Sequence, residues 1–207
     1  MRPSSHHKRQ AALAAAERQF LATGYESVTM DSIAKESGVA KQTLYSYFGS
    51  KRALFLHLVT AKTRAASRSV LSPAPRVPAA EARVALRDVL VAQLTAVMTP
   101  EILALRRLVI GERMRSPELA EALYEYGPRD AISALTRVLA DLVSARVLRV
   151  PDAERAATQL NWLVMGEPIN RAMLLGDAAI PSPAQIRDQV DSALDLFFGA
   201  YGQSVVR

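Results

Sequence analysis

The sequence contains no cysteine. Disulfides and thiolate metal sites are therefore excluded, and nothing calls for an oxidising compartment. Histidine is nearly as scarce, with three residues in 207, two of them adjacent at His6 and His7. No metal-ligand spacing, nucleophile elbow, phosphate loop or dinucleotide fingerprint occurs. The expectation is a protein that is not an enzyme and carries no metal and no cofactor. Strand-like alternation is almost absent, so the fold class reads as all-α. No run of about 18 apolar residues exists to cross a membrane. The first ten residues are polar and basic and lack the apolar stretch of a signal peptide. A cytoplasmic location is expected.

Charge of one sign is also missing from most of the chain. All five lysines (Lys8, Lys35, Lys41, Lys51 and Lys62) lie in the first 68 residues. That segment holds 11 Lys and Arg against 4 Asp and Glu, a net +7, whereas residues 69–207 hold 15 against 16, a net −1. A basic segment beside a near-neutral one fits a polyanion partner for the first part alone. A solvated basic face fits as well, and charge does not choose between them.

Helix signals recur throughout. Ala12, Ala16 and Phe20 share one face of a helix over 8–23, which Gly24 stops. A second helix spans 30–37, with Thr29 as its cap and Val28 and Ile33 at the positions of a hydrophobic staple. Gly38 ends it. A third helix covers 41–47, and a fourth starts after Ser50 and reaches about residue 70. Three prolines between Ser72 and Pro78 make a loop. Thr99-Pro100, Ser116-Pro117 and Ser182-Pro183 each place a hydroxyl cap before a proline at the first helical position. Ser182 and Gln185 have capping-box spacing. Helices follow at 80–97, 100–114, 117–126, 128–148, 152–175 and 183–201. Gly127-Pro128 is expected to divide one long pattern in two. Gly166 and Pro168 are expected to kink the helix that contains them.

Two short helices that cross closely need a small residue at the contact, a turn residue tolerant of positive φ and an apolar clamp. Ala34, Gly38, and Ile33, Val39 and Leu44 supply these in turn. The third helix is then left outward. Its Lys41 and Gln42 can hydrogen-bond base edges, Thr43 can meet a thymine methyl, and the Tyr45 and Tyr47 hydroxyls reach phosphates. Lys51 and Arg52 open the fourth helix, where the helix dipole disfavours cations by about 0.3–1 kcal/mol each. A bound phosphate reverses that cost.

The string Thr-Met-Asp-Ser-Ile-Ala-Lys-Glu-Ser-Gly-Val-Ala-Lys-Gln-Thr-Leu-Tyr-Ser-Tyr-Phe-Gly-Ser-Lys-Arg-Ala-Leu, residues 29–54, resembles the DNA-binding signature of TetR/AcrR-family transcriptional regulators. The likeness runs over about residues 9–60. It implies a helix-turn-helix DNA-binding domain at 1–55 and a helical effector-binding and dimerisation domain at 56–207. It also puts Thr29, Lys41, Gln42, Thr43, Tyr45, Tyr47 and Lys51 at DNA-contacting positions. Residues 105–129 are similar to a C-terminal type found in regulators of efflux and export genes, which names no ligand.

The segments 152–175 and 183–201 carry wide apolar faces. The residues alone fit either a thick monomer core or an interface. The resemblance makes them the seam of a homodimer, with Leu160, Val164, Val190, Leu194, Phe197 and Phe198 across it. Arg113, Met114, Tyr124, Asn161, Trp162, Met165 and Glu167 are candidates to line a pocket for a small, partly hydrophobic effector. The expected function is a transcriptional regulator, a repressor in most such proteins, released from a palindromic double-stranded DNA operator by an effector. The alternative is an effector-independent helical DNA-binding dimer that recruits a protein partner.

Overall fold

Thr29 starts the first decisive turn of the fold. In the computed structural model, which describes residues 5–68 and 81–202, its hydroxyl accepts from the Ser32 amide and the Ser32 hydroxyl accepts from the Thr29 amide, a reciprocal box. The helix so capped, α2 (Met30–Ser37), ends at Gly38 with φ 66°, a left-handed conformation that favours glycine. It follows α1 (Ser5–Thr23) and precedes α3 (Lys41–Phe48) and α4 (Lys51–Arg68). The Ser50 hydroxyl accepts from the Ala53 amide, as its place before α4 leads one to expect.

The remaining helices are α5 (Ala82–Val97), α6 (Pro100–Glu112), α7 (Pro117–Tyr124), α8 (Asp130–Ser144), α9 (Ala153–Leu175) and α10 (Pro183–Tyr201). Ser182 and Gln185 form the expected capping box ahead of α10. The proline-rich stretch 72–78 lies outside the described residues. Among the described residues there is no strand, only an isolated bridge between Leu148 and Gly202.

One expectation is corrected. Gly127-Pro128 does not break the helix. A π-helical turn, Glu125–Arg129, joins α7 to α8 without an intervening loop. Proline cannot donate to the carbonyl four residues back, and a wider turn accommodates that missing bond. Pro168 sits buried inside α9, which spans Ala153–Leu175.

The chain forms two compact units. The first holds residues up to Thr63 together with Ala104–Leu123. Its core stacks Phe20, Ile33, Leu44 and Phe55, all fully buried, with Leu105, Val109 and Leu119 from the α6–α7 corner. The Phe20 and Phe55 rings are 4.7 Å apart, and Tyr25 stacks on Phe20 at 5.6 Å. Each such side chain contributes about 1.5–3 kcal/mol by leaving water. Buried Ala12, Ala15 and Ala16 let α1 lie close against α2.

The second unit holds Arg64–Leu103 and the chain from Tyr124 onward. Leu86, Leu90 and Leu94 of α5, Leu135 and Leu139 of α8, Leu160 and Val164 of α9, and Val190, Leu194 and Phe197 of α10 make its core. Arg87 of α5 grips Asp191 of α10 with two hydrogen bonds, the one from Nη2 to Oδ2 measuring 2.8 Å. The amide of Arg149 donates to the Tyr201 carbonyl at 2.8 Å and fastens the α8–α9 loop to the end of α10.

Candidate nucleic-acid interface

Leu44 and Phe48, four residues apart, bury one side of α3. A helix of 3.6 residues per turn then turns Lys41, Gln42, Tyr45 and Ser46 outward, and all four are exposed. Thr43 and Tyr47 lie half-buried at the flanks of that face. The Tyr47 hydroxyl is 3.1 Å from the Ser5 hydroxyl, and its ring meets Phe48 edge-on. The exposed Gln42 amide and Tyr45 phenol offer donors and acceptors to a groove.

The cations here are not all aimed at solvent. The Lys41 ammonium reaches Asp31 of α2 at 2.7 Å. That hydrogen bond, with the charge of Asp31, raises the lysine's pKa. Both side chains are exposed, so the pair exchanges easily for a phosphate. Lys51 is held more firmly. Its ammonium donates to the Tyr25 carbonyl at 3.0 Å and lies 4.3 Å from the Tyr25 ring centroid. Arg52 pairs with Glu118 of α7, whose carboxyl is lowered by that hydrogen bond. Thr29, exposed, uses its hydroxyl as the α2 cap. The position of Lys51 at the start of α4 predicts a phosphate contact, and its tie to the α1–α2 loop has no local sequence signal. The stacking of Tyr25 on the Phe20 core carries that information, and it is a tertiary feature.

Of the seven residues proposed for an effector pocket, five are exposed and two are buried. Arg113 and Met114 belong to the first unit and face solvent, Met114 with 85% of its surface exposed. Tyr124, Trp162 and Glu167 are also exposed. Glu167 edges a shallow hollow shared with Arg171, Gln185 and Gln189. Asn161 and Met165 alone of the seven are buried, in the second unit's core. Asn161 there accepts a hydrogen bond at 3.2 Å from Gln93, a buried polar residue the sequence reading passed over. Gln93 follows Leu86 and Leu90 on the inward face of α5, and that spacing was the available signal.

The residues proposed for the dimer seam are also placed differently. Leu160, Val164, Val190, Leu194 and Phe197 are buried within the protomer's own core, and Phe198 is packed partly against it. The outward faces of the same helices instead expose Trp162, Leu163 and Leu174 on α9 and Leu196 on α10. Gly166 and Gly199, where an added Cβ would meet open space, lie on these two helices.

Known proteins share both halves. Residues 12–58 match the family described as bacterial regulatory proteins, tetR family. Residues 84–203 match the C-terminal domain of AefR-like transcriptional repressors. The HTH-type transcriptional regulator BetI of Agrobacterium fabrum is 29% identical over 193 residues, 92% of this chain and 89% of that protein. The solved structure of the flavonoid-responsive regulator FrrA is 34% identical and superposes with a TM-score of 0.80, over 97% of this chain and all of that one. A TetR-family regulator from Mesorhizobium loti superposes with a TM-score of 0.87 at 26% identity, over 98% of this chain and 100% of its own. An exposed α3 on a capped α2, together with family matches over residues 12–58 and 84–203, makes this chain a member of the TetR family of transcriptional regulators.

Proposed function

We propose that the protein is a cytoplasmic repressor that binds a palindromic operator as a homodimer and leaves it when a small effector occupies the second unit. The observation that carries the DNA step is α3, an eight-residue helix anchored by Leu44 and Phe48 with Lys41, Gln42 and Tyr45 exposed. Eight residues rise about 12 Å, enough for only a few base pairs. A two-fold dimer presents the helix twice, at about 34–36 Å, one turn of the duplex. Thr29, Thr43, Tyr47 and Lys51 flank the reading face, where they position the backbone more than they read bases.

The dimer reading is supported by the exposed apolar residues Trp162, Leu163 and Leu196 on α9 and α10. Scattered single apolar residues are common on surfaces, whereas large ones exposed on both α9 and α10 are what a shared helical seam would need. The effector reading is supported by the Gln93–Asn161 pair, two buried amides within an apolar core. The flavonoid-responsive relative supports a hydroxylated aromatic effector, a class that a few buried polar groups in an apolar surround would suit.

Fluorescence anisotropy with the protein's own promoter fragment tests this. Affinity should fall steeply and linearly on a log–log plot against salt, because phosphate contacts release counterions. A flavonoid such as naringenin should release the fragment. An affinity flat in salt removes the DNA step, and steep salt dependence without release removes the effector class.

A further inference from the structure

The first unit carries a groove that DNA reading does not use. It has a volume of about 450 Å³ and runs between the end of α1 with the following loop and α6. Leu21, Tyr25 and Leu108 give it an apolar wall. Gly111 borders it, and a Cβ added there would meet nothing within 4 Å. The volume falls within the range of small-molecule sites, about 300–1,000 Å³.

Glu112 also lines this groove, and only 8% of its surface is exposed. Its Oε2 is buried with no hydrogen-bond partner. Its Oε1 has Arg115 at 3.8 Å, but that guanidinium is committed to Glu26 at 2.8 Å. One arginine therefore serves two carboxylates. Burying a carboxylate without full compensation is costly, and such a group in a cavity is an unmet demand for positive charge and donors. The surrounding field agrees. Burial, then the negative charges of Glu112 and Glu26, push the Tyr25 phenol up. Arg107 lines the groove five residues earlier on the same helix, which confines a cation to the Glu112 end.

We infer that this groove is a binding site for a small organic amine with an apolar or aromatic body, its ammonium at Glu112 and its body against Leu21, Leu108 and the Tyr25 ring. The site lies within the first unit and is independent of any effector site in the second. A primary ammonium supplies both the charge and the donors that Glu112 lacks. The aliphatic and aromatic wall takes the rest of the molecule.

Benzylamine is the probe, with benzyl alcohol as its uncharged counterpart, and binding to the full-length protein is measured by ligand-observed NMR. Benzylamine should bind the wild type at least tenfold more tightly than benzyl alcohol. Glu112→Gln should weaken benzylamine at least tenfold. Gly111→Leu, which fills the groove while keeping the carboxylate and favouring the helix, should abolish binding. The inference is overturned if the wild type fails to bind benzylamine, if Gly111→Leu binds it like wild type, or if the alcohol binds as tightly and loses that binding in Gly111→Leu. Gly111→Leu therefore decides the matter even if the Glu112 variant does not fold.

Discussion

The Lys51 ammonium donates to the backbone carbonyl of Tyr25 at 3.0 Å while lying 4.3 Å from the centroid of the same residue's ring. One side chain thereby pins the start of α4 to the loop that feeds α2. The cation at a helix start, unfavourable by itself, is offset by a carbonyl and an aromatic face. Lys51→Ala should thus cost stability as well as DNA affinity. The expected loss is about 1 kcal/mol, from the hydrogen bond and the ring contact together. Thermal unfolding should show a lower midpoint, and DNA titrations a loss that is the same for operator and unrelated duplex. Unchanged stability would mean that the tie contributes nothing to the fold.

Gln42 is exposed on α3 and should act through base edges only. Gln42→Ala should leave the unfolding midpoint within about 0.5 kcal/mol of wild type. It should narrow the gap between operator and non-operator binding by about 1–3 kcal/mol at one base pair per half-site. Competition titrations with single-base operator variants measure this. Discrimination equal to wild type at every position would move the reading surface elsewhere.

Leu196 is 63% exposed and Trp162 44% exposed, whereas Leu194 and Val164 are fully buried. Leu196→Arg should therefore shift sedimentation toward the monomer while keeping the helical circular dichroism of the wild type. Leu194→Ala should act the other way round. It should destabilise the protomer by about 2–5 kcal/mol through a cavity, without a specific effect on association in the folded protein. A dimeric Leu196→Arg protein would exclude this face.

Arg87 holds the Asp191 carboxyl below its ordinary pKa, chiefly through their hydrogen bonds. An acid depressed in the folded state stabilises it above the unfolded pKa. That stabilisation is lost as pH falls through the folded value. The wild type should therefore lose stability more steeply below about pH 4 than Asp191→Asn, since unfolded aspartate titrates near 3.9. Both partners are substantially exposed, so the difference should be small and should shrink in salt. Denaturant midpoints between pH 3 and 7, at two salt concentrations, check the sign.

Much of the local structure was legible because its causes are local. A hydroxyl three residues before its amide partner, as at Thr29 and Ser182, caps a helix whatever surrounds it. The helix starts at Met30, Lys41, Lys51, Pro100, Pro117 and Pro183 coincide with the sequence signals for them. The outward side of α3 follows from the Leu44–Phe48 spacing. The junction at Gly127-Pro128 was not legible, because whether proline ends a helix or widens one turn depends on the packing of the flanking helices. Nor was the destination of the apolar face that carries Leu194. Helical spacing sets it apart from Leu196, but only the neighbouring helices determine whether it meets the protomer's own core or a partner.

Cap chemistry, apolar period and the basic first segment were enough, without coordinates, to establish an all-helical chain with an outward third helix, since each depends on residues within a few positions of one another. Assembly decided the rest. It drew residues 104–123 into the unit that holds α3, buried Leu160 of α9 and Leu194 and Phe197 of α10 in the protomer, and left Glu112 short of a partner. Burial and ion pairing are sums over groups distant in the chain, and no spacing along the sequence encodes which of them meet.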